Sequence, residues 1–148
     1  MKKLFIVLAI LLTSSALFSQ SNDSVAVKAV LQQNKSALEN LDGTTVKNLF
    51  TADSKVFESG KSEETFANYL EHHLAPEFKE FASFKFSDYK VDVDMAGNYA
   101  FTTETYNYTI VLAKDKSGIK RKGIATAVLK NVNGEWKIMT SHNSSRKG

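Results

Sequence analysis

From Phe81 onward the chain changes its hydrophobic period, and this change constrains the fold more than anything before it. Phe84 and Phe86 alternate with Lys85 and Ser87, and Tyr89, Val91 and Val93 alternate with Lys90, Asp92 and Asp94. Alternation with a period of two marks a strand with one buried face. The two apolar sets are out of phase by one residue, which a bulge or sharp bend near Ser87-Asp88 reconciles. Ala96-Gly97-Asn98 makes a turn. Tyr99 to Leu112, rich in Thr, Tyr and Ile, is predicted to be a long strand. Lys114 to Gly118 makes a second turn, and Gly123 to Val132 another strand. Asn133-Gly134 is the strongest hairpin signal in the chain, and Glu135 to Ser144 closes the run. Consecutive strands joined by short turns pair as an antiparallel meander.

The first half carries helical spacing instead. Val27, Val30, Leu31, Leu38 and Leu41 share a stripe with Asn34, the i, i+3, i+4 pattern of an amphipathic helix from Asp23 to Leu41. Asp42-Gly43 ends it, and Thr44 is placed to cap a short second helix through Phe50. Lys55 to Ser59 reads as a short strand. Ser62, followed by Glu63 and Glu64, is placed to cap a third helix. Its apolar side is Phe66, Tyr69, Leu70, His73, Leu74, Phe78 and Phe81. Pro76, the single proline, lacks an N–H and crowds the preceding turn, so a bend or break is expected there. Helices segregated from an antiparallel meander define an α+β class, with a sheet covered on one face. Long bent strands let such a sheet curl around the helices and enclose a conical cavity.

Composition narrows the function. The opening MKKLFIVLAILLTSSALFSQ has a basic start, an apolar run from Leu4 to Leu12 and a small-residue end, the layout of a signal peptide over residues 1–19. The apolar run is far shorter than the ~20 residues a membrane helix needs. Export to the periplasm or outside the cell is expected, with residues 20–148 as one domain and no membrane contact after cleavage. The chain has no cysteine, which excludes disulfides, thiolate metal sites and cysteine nucleophiles. Its formal charge of +3 includes Lys2 and Lys3, so cleavage leaves +3 − 2 = +1. The one basic cluster, Lys120-Arg121-Lys122, is explained by a solvated strand end, and no nucleic-acid partner is expected.

Several motifs in this order resemble the nuclear transport factor 2-like superfamily and, within it, the SnoaL-like group. Leu41-Asp42-Gly43 through Leu49-Phe50, followed by Lys55-Val56-Phe57-Glu58, is similar to that group's opening. Phe66, Tyr69, His73-Leu74 and Glu77 resemble a helix of one SnoaL-like subgroup. Asn133-Gly134-Glu135-Trp136-Lys137-Ile138, with Ser141-His142 and Ser144, resembles its closing hairpin. The resemblance implies a cone: a curved sheet wrapped around about three N-terminal helices. It implies activity less firmly, because this fold hosts isomerases, dehydratases, cyclases and non-catalytic binding modules. In the ketosteroid isomerase branch a carboxylate base lies on the segment where Glu58 falls. That branch's tyrosine donor on the first helix falls at Asn34, and an amide cannot match a phenol as an acid.

The candidate catalytic residues are Glu58, His73 and His142. A carboxylate on a cavity wall can take a proton near neutrality. His73 falls in line with Phe66, Leu70 and Glu77 and is expected to point inward. His72 lies ~100° away around the helix and is expected at the surface. His142 alternates with Trp136, Ile138, Thr140 and Ser144, a face the resemblance directs toward the cavity. Asn34, Tyr69, Glu104, Tyr106, Trp136 and Thr140 complete the expected ligand-binding set. Their plain structural readings are a rim glutamate, a hydrogen-bonded core histidine and a histidine fixing a strand end. A metal held by Glu58, His73 and His142 has no support from spacing. The functional expectation is a pocket enzyme, an isomerase, dehydratase or cyclase without organic cofactor, acting on a small apolar or amphipathic molecule and pairing as a homodimer through its sheet. The alternatives are a non-catalytic binding module, or an interaction module whose cavity Phe78, Phe81, Phe84 and Phe86 fill.

Overall fold

The computed structural model describes residues 22–148; the expected signal peptide lies outside the described residues. Helix α1 spans residues 22–39 and buries Val27 and Leu31 of the expected stripe, with Val30 and Leu38 partly buried and Ala37 buried beside them. Leu41 then turns the chain with a positive φ of 56°. The cap of α2 (Gly43–Asn48) is Asp42 rather than Thr44: its Oδ1 accepts the Thr45 N–H at 3.0 Å.

Strand β1 runs over Phe50–Glu58, longer than expected, because β6 (Glu135–Lys147) supports it. The two pair in parallel, with Phe57 opposite His142 and Glu58 opposite Asn143. A parallel partner so distant in sequence leaves no local signal. Ser62 belongs to the small strand β2 (Lys61–Ser62), which folds back on the end of β1. The next helix therefore starts at Phe66, capped by Thr65. It runs as α3 (Phe66–Tyr69), a π-helical turn over Leu70–Leu74, and α4 (Ala75–Glu80). Pro76 falls in the first turn of α4 and does not end the helix. The Ala75 N–H reaches back to the Leu70 carbonyl, and this wider turn carries the chain into the proline without a break.

Strands β3 (Phe81–Ala96), β4 (Tyr99–Leu112), β5 (Gly118–Val132) and β6 form the expected meander. The sheet order is β2-β1-β6-β5-β4-β3, in a curved, unclosed sheet with the helices at the N-terminus, an α+β cone. The phase change in β3 is real: pairing with β4 shifts between Ser87 and Lys90, and Asp88 has a φ of 52°.

A second bulge, in β6, is not marked by any turn residue. Ile138 pairs with Leu129, yet Thr140 pairs with Val128, so Met139 is the extra residue. Beyond it the two faces exchange. Ser141, Asn143 and Ser145 turn inward, opposite Ala127, Ala125 and Gly123. Thr140, His142 and Ser144 turn outward, which corrects the expectation for Thr140 and His142.

The closed end of the cone is packed by Val27, Leu31, Ala100, Ala127, Leu129, Trp136 and Ile138. Trp136 belongs to this core rather than to a ligand wall, and its indole N–H donates to Asp23 Oδ1 at 3.3 Å. Val46, Val56, Phe66, Tyr69 and Leu74 form a second cluster under α2 and the α3 region. The sheet's outer face, which the homodimer expectation invokes, exposes Phe101 (50 %) and Ile124 (47 %).

Candidate functional site

Between the two clusters the cone encloses a hollow of about 170 Å³, so the phenylalanines do not fill it. Polar side chains reach it in two groups. The first lies where β1 ends beside the α3 region. Glu58 is the last residue of β1 and lines the hollow. Its Oε2 accepts the Tyr69 hydroxyl at 3.0 Å and lies 3.2 Å from His73 Nε2. The same Nε2 is 3.4 Å from Glu77 Oε1. Tyr69, His73 and Glu77 follow one another four residues apart. The Tyr69 and His73 rings stack at 5.1 Å, 19° from parallel.

Electrostatics separates the roles in this group. Burial pushes the Tyr69 phenol far above its ordinary range, and the Glu58 charge pushes it the same way. Tyr69 therefore keeps its proton and serves as a fixed donor. Burial also raises Glu77, against the pull of His73 and with the push of Glu58. His73 is partly buried, its side chain 34 % exposed, and His72 is exposed; His73 sits beside Glu58 but does not itself line the hollow, unlike the inward placement expected of it. Glu77 sits at the lip, its side chain 47 % exposed.

The second group is set into the sheet. Glu104, on β4, is 8 % exposed and accepts the Tyr89 hydroxyl. Burial raises its carboxyl, and the Tyr89 bond only partly opposes this. Burial raises the Tyr106 phenol too, and Glu104, then Tyr108 and then Glu58 add to it. Tyr106 thus lies within the field of both carboxylates. Its ring covers Gly123, where an added Cβ would fall 2.2 Å from Tyr106 Cε2. Asn34 lines the hollow from α1, one turn beyond Leu31, and its Oδ1 is buried with no hydrogen-bond partner among the described residues. Lys35 adjoins it, 3.2 Å from Glu39 and above the rings of Phe86 and Tyr89 at 5.7 and 5.9 Å.

Of the expected residues, the fold brings Glu58, Tyr69 and His73 together, and it lines the hollow with Asn34, Glu104 and Tyr106. Trp136, Thr140 and His142 fall elsewhere. Glu58, His73 and His142 form no metal set, because His142 is exposed on the opposite face of the sheet. Among the described residues no three His, Cys, Asp or Glu side chains are placed to hold a metal ion. Sequence reasoning missed Lys35, Tyr89, Ser141 and Asn143. Tyr89 was in reach, since its alternation with Val91 already set it on the inner face. The two β6 residues depend on the bulge at Met139.

The fold and this arrangement define a cone-shaped α+β protein of the nuclear transport factor 2-like superfamily. The SnoaL-like domain profile matches residues 27–146, and the chain belongs to that family. Its structure is similar to a superfamily protein from Salmonella enterica serovar Typhimurium, with a TM-score of 0.75 at 16 % identity, covering 88 % of this chain and 94 % of that one. It is similar to a ketosteroid isomerase-like protein from Erwinia carotovora (TM-score 0.69, 15 % identity, 84 % and 96 % covered). It is also similar to hexachlorocyclohexane dehydrochlorinase LinA-type3 from Novosphingobium barchaimii (TM-score 0.70, 8 % identity, 87 % and 90 % covered). No curated protein matches the chain.

Proposed function

We propose that this chain is a pocket enzyme that moves a proton on carbon in a small, partly apolar molecule, an isomerase or a lyase that needs no organic cofactor. One observation carries the reading. Glu58 lines the hollow, and its Oε2 accepts the Tyr69 hydroxyl and lies 3.2 Å from His73 Nε2. Among the described residues no hydrogen bond or ion pair is made to Oε1, which leaves that oxygen to take a proton.

In the forward step Oε1 accepts the proton from a substrate carbon, and the C–H electron pair moves into a new double bond. In an isomerisation the π pair of an adjacent carbonyl moves onto its oxygen as the new double bond forms, and it moves back as Glu58 returns the proton to another carbon. In an elimination a leaving group departs with its electron pair instead. Tyr69 and His73 are positioning residues: they hold the carboxylate against one wall while its charge is gained and lost. The names of two structural neighbours, an isomerase-like protein and a dehydrochlorinase, denote proton removal or transfer in those proteins and are consistent with this reading.

The test uses a chromogenic elimination probe, 5-nitrobenzisoxazole, whose ring opening needs only a positioned base. Glu58→Gln is expected to lower the rate by about 10²- to 10⁴-fold, the usual contribution of a general base, with the circular dichroism spectrum unchanged. A native protein no faster than free acetate, or a Glu58→Gln variant as fast as the native one, overturns the reading and leaves a non-catalytic binding module.

A further inference from the structure

Glu104 is a buried carboxyl without a counter-charge. It lies on the inner face of β4, borders the hollow and is 8 % exposed. Among the described residues no cation pairs with it, and its one hydrogen bond comes from the Tyr89 hydroxyl to Oε2. Glutamate is almost never this deeply buried unless it is paired, because an uncompensated charge away from water is costly. Oε1 makes no hydrogen bond among the described residues. The polar atoms sealed from open space without a partner there are Asn34 Oδ1 and Thr51 Oγ1, so Glu104 Oε1 is not sealed. The open space on this face of β4 is the hollow. Glu104 therefore presents a bare oxygen to whatever the hollow holds.

The charges around it have one sign. Glu58 and Glu77 also line the hollow, and Lys35 is the one cation among the described lining residues. Lys35 is committed to Glu39, 3.2 Å away. His73 stands beside Glu58 and Glu77, not beside Glu104. An anionic ligand would meet carboxylates and no uncommitted positive charge.

The walls suit a cation as well. Tyr89 and Tyr106, on either side of Glu104, hold their rings 6.4 Å apart and 22° from parallel. Phe86 meets Tyr106 edge to face at 5.1 Å and 86°. An aromatic face attracts a cation within about 6 Å. This wall already does so: the Lys35 ammonium lies 5.7 Å from the Phe86 ring centre and 5.9 Å from that of Tyr89. A metal ion is a poorer fit, since no three His, Cys, Asp or Glu side chains among the described residues are placed to hold one. Size sets the last limit. A cavity of ~150 Å³ holds benzene, and this hollow is about 170 Å³.

We infer that the hollow takes a small organic amine in its ammonium form, with the ammonium on Glu104 Oε1 and the apolar body against the wall of Phe86 and Tyr106. Burial alone raises the Glu104 carboxyl; an ammonium beside it favours the ionised form. This names the ligand class of the site proposed above, and it rests on the hollow being the ligand site, not on turnover.

Titration calorimetry at pH 7 with benzylamine, benzyl alcohol and benzoate tests it. The three share a ring and differ in charge: cation, neutral molecule and anion. Benzylamine is expected to bind at least ~10-fold tighter than benzyl alcohol, because a charge-assisted bond in a desolvated aromatic site outweighs a neutral one. Benzoate is expected not to bind. Glu104→Gln keeps the shape of the side chain and removes its charge. It is expected to leave at most about threefold preference for the amine, the share of the rings. Glu77→Gln, at the half-solvated lip, is expected to change the preference by less than about twofold. Circular dichroism checks the fold of both variants, and the native comparison decides the ligand class without either. Benzyl alcohol bound as tightly as benzylamine means that Glu104 keeps its proton in the complex, and overturns the inference. So does binding of benzoate, a Glu104→Gln variant with the full preference, a Glu77→Gln variant without it, or native protein that binds none of the three. The two readings fail separately. Amine preference with no elimination rate sinks only the catalytic reading; an elimination rate with no amine preference sinks only the ligand class.

Discussion

The two ends of the cone are built on the same strands with opposite choices of side-chain size. At the closed end β5 and β6 supply Leu129, Trp136 and Ile138 to the inner face, while β4 supplies Ala100 and Thr102. Toward the open end β5 gives Ala125 and Gly123, and β6 gives Ser141, Asn143 and Ser145. There β4 gives Tyr106 and Tyr108. Large residues facing α1 close the first end. At the second the large residues stand on β3 and β4, and the small ones opposite leave the gap. The hollow is therefore a consequence of side-chain volume along an unbroken sheet, not of a missing element.

The comparison breaks most visibly if both ends respond alike to truncation. Leu129 is fully buried at the closed end. Leu129→Ala is expected to destabilise by about 3 kcal/mol, since the methyl groups lose their transfer free energy and leave a void that cannot collapse. Phe84→Ala, at the rim of the hollow, should cost clearly less, because Phe84 is only partly buried and its neighbours already border open space. Urea denaturation of both variants decides it. Equal losses would mean that the open end is ordinary core.

How much of this was legible follows from which interactions are local. The turns at Gly97 and Gly134 and the phase change at Ser87-Asp88 were all written in adjacent residues, and the structure places them there. So was the separation of His72 from His73, which needs only helical geometry. The bulge at Met139 was not, because no glycine or polar pair marks it and the partner strand decides where it falls. That one residue removed His142 and Thr140 from the candidate site and brought in Ser141 and Asn143. The length of β1 was hidden for a related reason: its parallel partner lies some eighty residues further along the chain. The pairing of Glu58 with Tyr69 and His73 was reachable only through the family resemblance, as no spacing rule links a strand end to a helix that follows it.

The second difference between the regions is electrostatic and smaller. Glu104 is enclosed by the sheet, whereas Glu77 stands half in solvent at the lip. Both carboxyls are raised above the ordinary value of 4.5, burial being the largest cause in each. In the window above 4.5 the unfolded chain has released a proton that folded Glu104 still holds. Stability is then full below that window and falls as pH rises through the folded pKa. Glu104→Gln removes this dependence, so its melting temperature should gain on the native protein between pH 4 and pH 8. Glu77→Gln should gain less, because its charge is better solvated. A difference in melting temperature that stays constant with pH for Glu104→Gln would show that the buried carboxyl does not set the slope.

The smallest effect on stability, and the sharpest on the comparison, comes from filling the gap. Ala125 lies on the inner face of β5, between Glu104 of β4 and Asn143 of β6, and borders the hollow. Ala125→Leu adds a branched side chain where space exists. In close-packed core an insertion of this size forces off-rotamer side chains and costs about 1–3 kcal/mol. Here the new methyl groups enter the hollow, so the change in unfolding free energy should stay under about 1 kcal/mol, the gain from burial offsetting local crowding. Binding of a benzene-sized probe in the hollow should nevertheless fall by more than ~10-fold, because the added carbons occupy the volume a ring needs. Stability retained with binding lost is the signature of a hollow kept for a ligand. Binding retained in Ala125→Leu would place the ring elsewhere, and a loss of stability as large as that of Leu129→Ala would erase the distinction between the two ends.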